Sequence, residues 1–189
     1  MSTNFVSIDR NQPLLLPPDL REWVPGNDLV HFVLEAVDLL DTRVFKVNPR
    51  GTGSAQYPSH MMLALLIYCY ANGIFSSRRI EKATYRDLGV RFLTADTHPD
   101  HDTIATFRRE NFEAVAACFV RVLELAQELN LLKVGRVSVD GTTLKACASK
   151  NRNVRYDRAG ELVEQLELEV RELMEQAEQM DRSESEDAG

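Results

Sequence analysis

The sequence predicts a mainly α fold: a helical bundle with a helix-turn-helix-like portion, one β-hairpin and an amphipathic, acidic C-terminal helix. Three observations support this fold class. Apolar residues recur at helical spacing over most of residues 28–130. Strand-like alternation is confined to a short stretch on either side of Asp140-Gly141. Beyond it, residues 161–181 combine an apolar stripe with an excess of acidic residues.

The length of 189 residues is enough for one domain of ordinary size or two small ones, and the 44% of hydrophobic residues is enough to bury a core. The three cysteines lie far apart in the sequence, which argues against a disulfide framework and against metal-ligand spacing. Residues 1–10 are polar, and the longest apolar run, Met61 to Ala71, is too short to span a bilayer. We therefore expect no signal peptide, no membrane partner and a cytoplasmic location.

The net charge of −7 does not exclude a nucleic-acid partner, because the charge is unevenly distributed. Residues 159–189 carry a net charge of −9, so residues 1–158 carry +2. Within the latter, residues 133–158 carry a local charge of +5. A basic block of this kind can contact phosphates while an acidic tail conceals it in the total.

Residues 1–57 are predicted to be an N-terminal arm followed by a first helix. Three prolines within residues 1–18 favour an extended arm. Asp19 and Glu22 have capping-box spacing, which predicts one helical turn. Apolar positions on one face then predict an amphipathic helix over about residues 28–41.

Residues 58–133 are predicted to be a helical domain of the DNA-binding type. Ser59 to Asn72 is apolar nearly all round, as expected for a central core helix. Shorter helices over about 77–86 and 87–94 precede a long helix over about 101–130, an arrangement that loosely resembles helix-turn-helix proteins. The predicted caps are Ser76 or Ser77 for the third helix and Asp100 or Asp102 for the long one.

The third predicted helix carries a basic face. Arg79, Lys82 and Arg86 recur at i, i+3 and i+7, and a second line of cations follows on the long helix. These residues either contact a phosphate backbone or form a solvated face that acidic neighbours neutralise, and charge alone does not decide. The candidate DNA contacts in these helices are Arg78, Arg79, Lys82, Arg86, Thr103, Arg108 and Arg109.

Asp140 ends the first strand of a hairpin predicted over about residues 136–147. One interpretation is a carboxylate that holds a divalent metal such as Mg²⁺, which prefers oxygen ligands. The other is a plain turn, because Asp-Gly between apolar segments is a strong hairpin signal. The two interpretations are compatible, since a turn Asp can also be a ligand.

His98 and His101 lie beside Asp100 and Asp102, a grouping that could suggest a second metal site. We favour helix capping by one of the aspartates, because the sequence indicates no third and fourth ligand. The sequence contains no glycine-rich phosphate loop, no Gly-x-Ser-x-Gly motif and no Cys/His nucleophile pattern. No small-molecule substrate is therefore expected.

A last helix is predicted over about residues 161–181, after a basic segment that ends near residue 160. Its apolar positions alternate spacings of four and three, as in a short coiled-coil seam. We expect this seam to contact a partner and the acidic residues to be solvated. Ser183 to Gly189 is expected to be disordered. The seam consists of Leu166, Val170, Leu173, Ala177 and Met180.

Four motifs in this order resemble the N-terminal part of bacterial insertion-sequence transposases of the DDE class. The resemblance covers about residues 10–158. The motifs are the run from Pro13 to Trp23, Ser76-Ser77-Arg78-Arg79-Ile80-Glu81, Pro99-Asp100-His101-x-Thr103-Ile104-x-x-Phe107-Arg108, and Val139-Asp140-Gly141-Thr142-x-x-Lys145-Ala146-x-Ala148-Ser149-Lys150.

The resemblance implies a helical N-terminal domain followed by the start of an RNase H-like core at residues 134–158. In that family Asp140 would be the first of three acids that bind Mg²⁺. The second Asp and the Glu of the family are missing here, so the resemblance implies a truncated transposase that is catalytically incompetent alone. Residues 159–189 would form the charged helix and tail that follow.

The leading hypothesis is therefore a transposase fragment that binds DNA, at the ends of a mobile element. Near the hairpin, the further candidate contacts are Lys145, Lys150, Arg152 and Arg155. The alternative is an interaction protein whose C-terminal seam dimerises with itself or with a full-length transposase and inhibits it. A third hypothesis is that a separate chain supplies the missing acids to Asp140.

Overall fold

The computed structural model describes residues 19–46, 56–129, 131, 137–139, 142–144 and 156–186. The protein is mainly helical, which confirms the predicted fold class. Two short 3₁₀ helices, Leu20–Glu22 and Thr42–Val44, flank the first α-helix. The elements are α1 (Leu29–Asp38), α2 (Ser59–Ala71), α3 (Ser77–Arg86), α4 (Leu88–Leu93), α5 (His101–Glu110), α6 (Phe112–Glu128), β1 (Val137–Val139), β2 (Thr142–Leu144) and α7 (Tyr156–Glu186).

Helix α2 is the centre of the core, as its sequence predicted. Every residue from Met61 to Tyr70 is buried, because α1 and α4 pack directly against α2 and the other helices enclose them. A helix that is apolar all round is stable only when its whole circumference is covered. α2 has 13 residues, and no helix in the described part of the chain is both long and apolar enough to cross a bilayer.

Side-chain caps fix where the short helices begin. Asp28 accepts a hydrogen bond from the backbone N–H of Val30 (2.9 Å) at the start of α1, and Asp87 does the same for Val90 (2.9 Å) at the start of α4. Ser76 caps α3 and Asp100 caps α5, one from each predicted pair. The backbone N–H of Thr103, 2.7 Å from Asp100, lowers the pKa of the Asp100 carboxyl.

The prediction of one long helix over residues 101–130 is wrong. The structure has two helices there, α5 and α6, with a break at Asn111. The Asn111 side chain is buried and accepts a hydrogen bond from the backbone N–H of Lys46 (2.7 Å), while its amide nitrogen donates to the carbonyl of Phe107 (3.0 Å). These side-chain bonds to backbone groups compete with a continuous helix. Because the apolar periodicity resumes immediately after Asn111, the break was invisible in the sequence pattern.

Helix α7 is longer than predicted, and its apolar seam faces the interior of the chain. The helix runs from Tyr156 to Glu186, so the disorder expected from Ser183 onward is wrong as far as Glu186, and residues 187–189 lie outside the described residues. Val170, Leu173 and Ala177 are buried where α7 packs along α6. The surface on which the dimer hypothesis rested is therefore already covered within the chain.

The strands β1 and β2 pair antiparallel, with Val137 opposite Leu144. Asp140 and Gly141, between them, lie outside the described residues. The turn, and the hairpin as a complete unit, therefore stay predictions. In the described part of the chain these two strands make up the only sheet, and no third strand joins them.

Helices α2 and α4 meet at Gly89. The hydroxyl of Tyr68 in α2 donates to Asp28 at the start of α1 (3.3 Å), and burial raises the pKa of that phenol. A Cβ atom on Gly89 would lie 2.3 Å from this hydroxyl oxygen. Only glycine lets α4 approach so closely while the hydroxyl stays bonded to Asp28.

We expect Gly89→Ala to lower the free energy of unfolding by about 1–3 kcal/mol, because overpacking outweighs the better helix propensity of alanine. Urea denaturation of the full chain measures this. Gly26→Ala is the control, since nothing lies within 4 Å of a Cβ added there. Adding Tyr68→Phe to Gly89→Ala should recover part of the loss. A fully stable Gly89→Ala variant would contradict the close approach of the two helices.

Candidate nucleic-acid interface

The structure places four cations on the exposed side of α3. Ile80, Ala83 and Thr84 are buried, whereas Arg78, Arg79, Lys82 and Arg86 are exposed. At 3.6 residues per turn, the four cations lie within about 100° of the helix circumference. We call this surface, Arg78, Arg79, Lys82 and Arg86, the basic face of α3.

Two acids that could neutralise the basic face are engaged elsewhere. Glu81 accepts a hydrogen bond from the backbone N–H of His101 (3.1 Å), and its carboxylate lies 2.7 Å from Nδ1 of the same residue. Asp87 caps α4. Within the described residues, neither acid forms an ion pair with a cation of the basic face.

The cations of the basic face form few ion pairs within the described residues. Within the described residues, Arg78, Lys82 and Arg86 form no ion pair, and Arg79 lies 3.9 Å from a carboxylate oxygen of Glu184. An exposed pair at that distance contributes little. The three unpaired cations are thus available to an external anion.

Arg108, predicted to contact phosphate, is instead a core residue, and that prediction is wrong. Its side chain is 1% exposed. Its Nη1 donates to the hydroxyl of Tyr70 in α2 (3.0 Å), and its Nη2 donates to Oδ2 of Asp181 in α7 (2.5 Å). A buried guanidinium with a carboxylate partner is unavailable to DNA, and it links α2, α5 and α7.

The charge states around Arg108 follow from burial and pairing. Burial alone would lower the pKa of Arg108, but Tyr70 and Asp181 outweigh burial and raise it. Burial raises the pKa of Tyr70 to about 12, although the neighbouring guanidinium opposes this. At neutral pH Arg108 is therefore charged and Tyr70 is a neutral phenol.

The end of α7 also caps the start of α3. Oδ1 of Asp181 accepts from the backbone N–H of Ser77 (2.7 Å), and Glu184 accepts from the hydroxyl of Ser76 (2.5 Å). These carboxylates satisfy donors at the positive end of the α3 dipole. Asp181 was expected on a solvated face and instead lies in a buried junction.

One signal in the sequence could have identified Asp181. The buried residues Val170, Met174 and Ala177 are spaced by four and three, and Asp181 follows at four. An acid that continues a buried helical stripe needs a cation opposite it. The clue to that cation was Arg108, which continues the spacing of the apolar positions on its own helix.

Two other predicted contacts lie on α5. Thr103 is half-buried, and both its backbone N–H and its hydroxyl bond Asp100 (2.7 and 3.1 Å), so it serves the helix cap. Arg109 is exposed, and its guanidinium lies 3.4 Å from the hydroxyl of Thr106. Of these two, only Arg109 extends the basic face of α3.

A cleft of about 370 Å³ is lined by residues of α3, α5 and the end of α7. Cations and acids line it in equal number, so it has no net preference for an anion. The basic surface is therefore the exposed side of α3 rather than this cleft. The arginines are Arg78, Arg108, Arg109 and Arg182, and the acids are Asp102, Glu178, Asp181 and Glu186.

The remaining predicted site residues lie outside the described part of the chain: Asp140, Lys145, Lys150, Arg152 and Arg155. Among the residues that the structure describes, no three His, Cys, Asp or Glu side chains converge in a way that could hold a metal ion. His98 and His101 are accordingly placed by other contacts, with Thr84 and Glu81 respectively. The described residues provide no Mg²⁺ site.

We expect Asp181→Asn to lower the free energy of unfolding by about 3–5 kcal/mol, because it leaves the Arg108 charge buried without a counter-ion. The asparagine oxygen can still accept from Ser77, but its amide nitrogen then faces Nη2 of Arg108, so the guanidinium loses both the counter-charge and a hydrogen-bond acceptor. Glu113→Gln is the matched control, since Glu113 pairs with Arg171 of α7 at an exposed position (2.9 Å). It should cost about 1 kcal/mol or less. Equal losses in urea denaturation would contradict the buried junction.

Residues 18–110 match the family described as Transposase domain (DUF772). No curated protein and no solved structure matches the chain. The matched range contains α1 to α5, and with them the basic face of α3 and the buried Arg108. Residues 18–110 are therefore similar to a transposase domain.

Proposed function

We propose that this chain acts in DNA transposition by binding DNA through the basic face of α3, at the ends of an insertion sequence of the DDE type. One observation carries the proposal: Arg78, Lys82 and Arg86 share one exposed side of a helix and have no ion-pair partner among the described residues. The transposase match over residues 18–110 supports a nucleic acid as the anion.

The dimensions of the basic face suit a phosphate backbone. From Arg78 to Arg86 the helix rises about 12 Å, at 1.5 Å per residue. Double-stranded DNA carries one negative charge for about every 1.7 Å of its axis, so a stripe of this length lies beside several phosphates. Such contacts fix position and orientation on the duplex and carry no sequence information themselves.

The junction with α7 limits which part of α3 is available. Asp181 and Glu184 occupy the N-terminal end of the helix, where the dipole would otherwise favour a phosphate. Of the four cations of the basic face, Arg79 is the one nearest Glu184 (3.9 Å). We therefore assign the main phosphate contacts to Lys82 and Arg86, with Arg78 and Arg109 extending them toward α5.

The metal chemistry implied by the resemblance is a separate proposal that rests on Asp140. We propose that Asp140 is a Mg²⁺ ligand, and that the remaining ligands come from outside the described residues. If Asp140 serves the metal and not the phosphates, Asp140→Asn should leave the affinity for duplex DNA in EDTA undiminished. A marked loss of affinity would make Asp140 a folding or binding residue.

We expect duplex binding to weaken steeply with salt, because bound cations displace condensed counterions. The slope of log K against log[salt] should be about −0.9 per phosphate contacted. Lys82→Ala and Arg86→Ala should each make this slope shallower by about 0.9. Fluorescence anisotropy with a labelled duplex, titrated at several salt concentrations, measures the slope.

Arg121→Ala is the matched control for these variants. Arg121 is a cation on α6 that already pairs with Glu124 (2.7 Å), so its removal should leave the slope unchanged. Binding without salt dependence, or no binding at low salt, would refute the proposal. An equal effect of Arg121→Ala would mean that overall charge, and not the basic face of α3, holds the DNA.

A further inference from the structure

An exposed aromatic residue lies at the edge of the basic face of α3. Tyr85 is 56% exposed. It follows Lys82 by three positions and Arg78 by seven, so the three side chains share one side of the helix. Phosphate contacts alone do not require an aromatic ring at this position.

The ring of Tyr85 is stacked on one face only. The imidazole of His98 lies against it, with ring centroids 3.9 Å apart and an angle of 15° between the planes. Since one face of the phenol is covered and the side chain is still more than half exposed, its opposite face is open to solvent.

His98 is itself held in place. Its Nδ1 lies 3.1 Å from the hydroxyl oxygen of Thr84, which is fully buried. That hydroxyl donates its hydrogen to the carbonyl of Glu81 (2.7 Å), so its oxygen must accept from His98, and Nδ1 carries the hydrogen. The stacked pair of Tyr85 and His98 is therefore held in one orientation by a buried residue before any ligand binds.

We propose that the open face of Tyr85 is a stacking site for an unpaired base of the bound DNA. The proposal rests on the proposed DNA-binding function and adds the structural class of the ligand. An aromatic ring beside cations is the arrangement that binds single strands, where the cations follow the backbone and a base stacks on the ring. A base-paired duplex shows only base edges in its grooves, so the ligand is a nucleotide outside the paired region.

The test compares two DNA probes with the full chain. One is a blunt duplex; the other is the same duplex with a short single-stranded extension whose first unpaired base is 2-aminopurine. Anisotropy gives the affinity for each probe, and quenching of 2-aminopurine fluorescence reports stacking directly. The variants are Tyr85→Leu, which keeps apolar bulk without a ring, and Tyr85→Phe, which keeps the ring. Both are checked by urea denaturation.

We expect the wild-type chain to bind the extended duplex about fivefold to a hundredfold more tightly than the blunt one, and to quench the 2-aminopurine. Tyr85→Phe should keep both effects. Tyr85→Leu should lose both and retain the affinity for the blunt duplex. A Leu variant with unchanged preference and quenching overturns the proposal. So does a Leu variant that weakens both probes equally, because Tyr85 would then contact the duplex itself.

The same experiment separates this proposal from the one on which it rests. If the wild-type chain binds the blunt duplex in a way that depends on Lys82 and Arg86, but shows neither preference nor quenching, only the stacking site is refuted. If it binds neither probe at low salt, DNA binding fails and the stacking site fails with it.

Discussion

The arrangement of the helices depends on the neutralisation of one buried guanidinium. An uncompensated charge in a protein interior costs several kcal/mol, so Arg108 requires an anion within hydrogen-bond distance. That anion, Asp181, is 73 residues away in the chain. The requirement fixes the end of α7 against α2, α5 and the start of α3. The hydroxyl of Tyr70 and the backbone N–H of Ser77 complete the junction, so four helices are held at one point.

The same junction shapes the surface. The carboxylates that neutralise Arg108 and cap α3 bring the acidic helix to one end of the basic face. The protein therefore has a negative total charge and still presents cations along the exposed side of α3. Net charge describes the average surface, whereas a partner meets only the local one. The asymmetry comes from packing, since α7 turns its apolar stripe toward α6 and its other acids toward solvent.

Local signals in the sequence were sufficient for most of the secondary structure. The bounds of α2 and α3, and the caps at Ser76 and Asp100, follow from periodicity and from hydrogen bonding within one turn. The failures have a common cause. Asn111 interrupts a helix because its side chain accepts a hydrogen bond from the backbone N–H of Lys46, 65 residues earlier. Arg108 and Asp181 pair with each other although they lie on different helices. No pattern within a single helix records a partner on another.

The distance in sequence between Arg108 and Asp181 has a consequence for synthesis. At about 5–20 residues per second, a ribosome needs roughly 4–15 s to make the residues between them. During that interval Arg108 has no counter-ion, and the face of α6 that α7 will cover is bare. The nascent chain therefore passes through an incomplete bundle that exposes apolar surface. The packing of α7 against α6 completes the bundle.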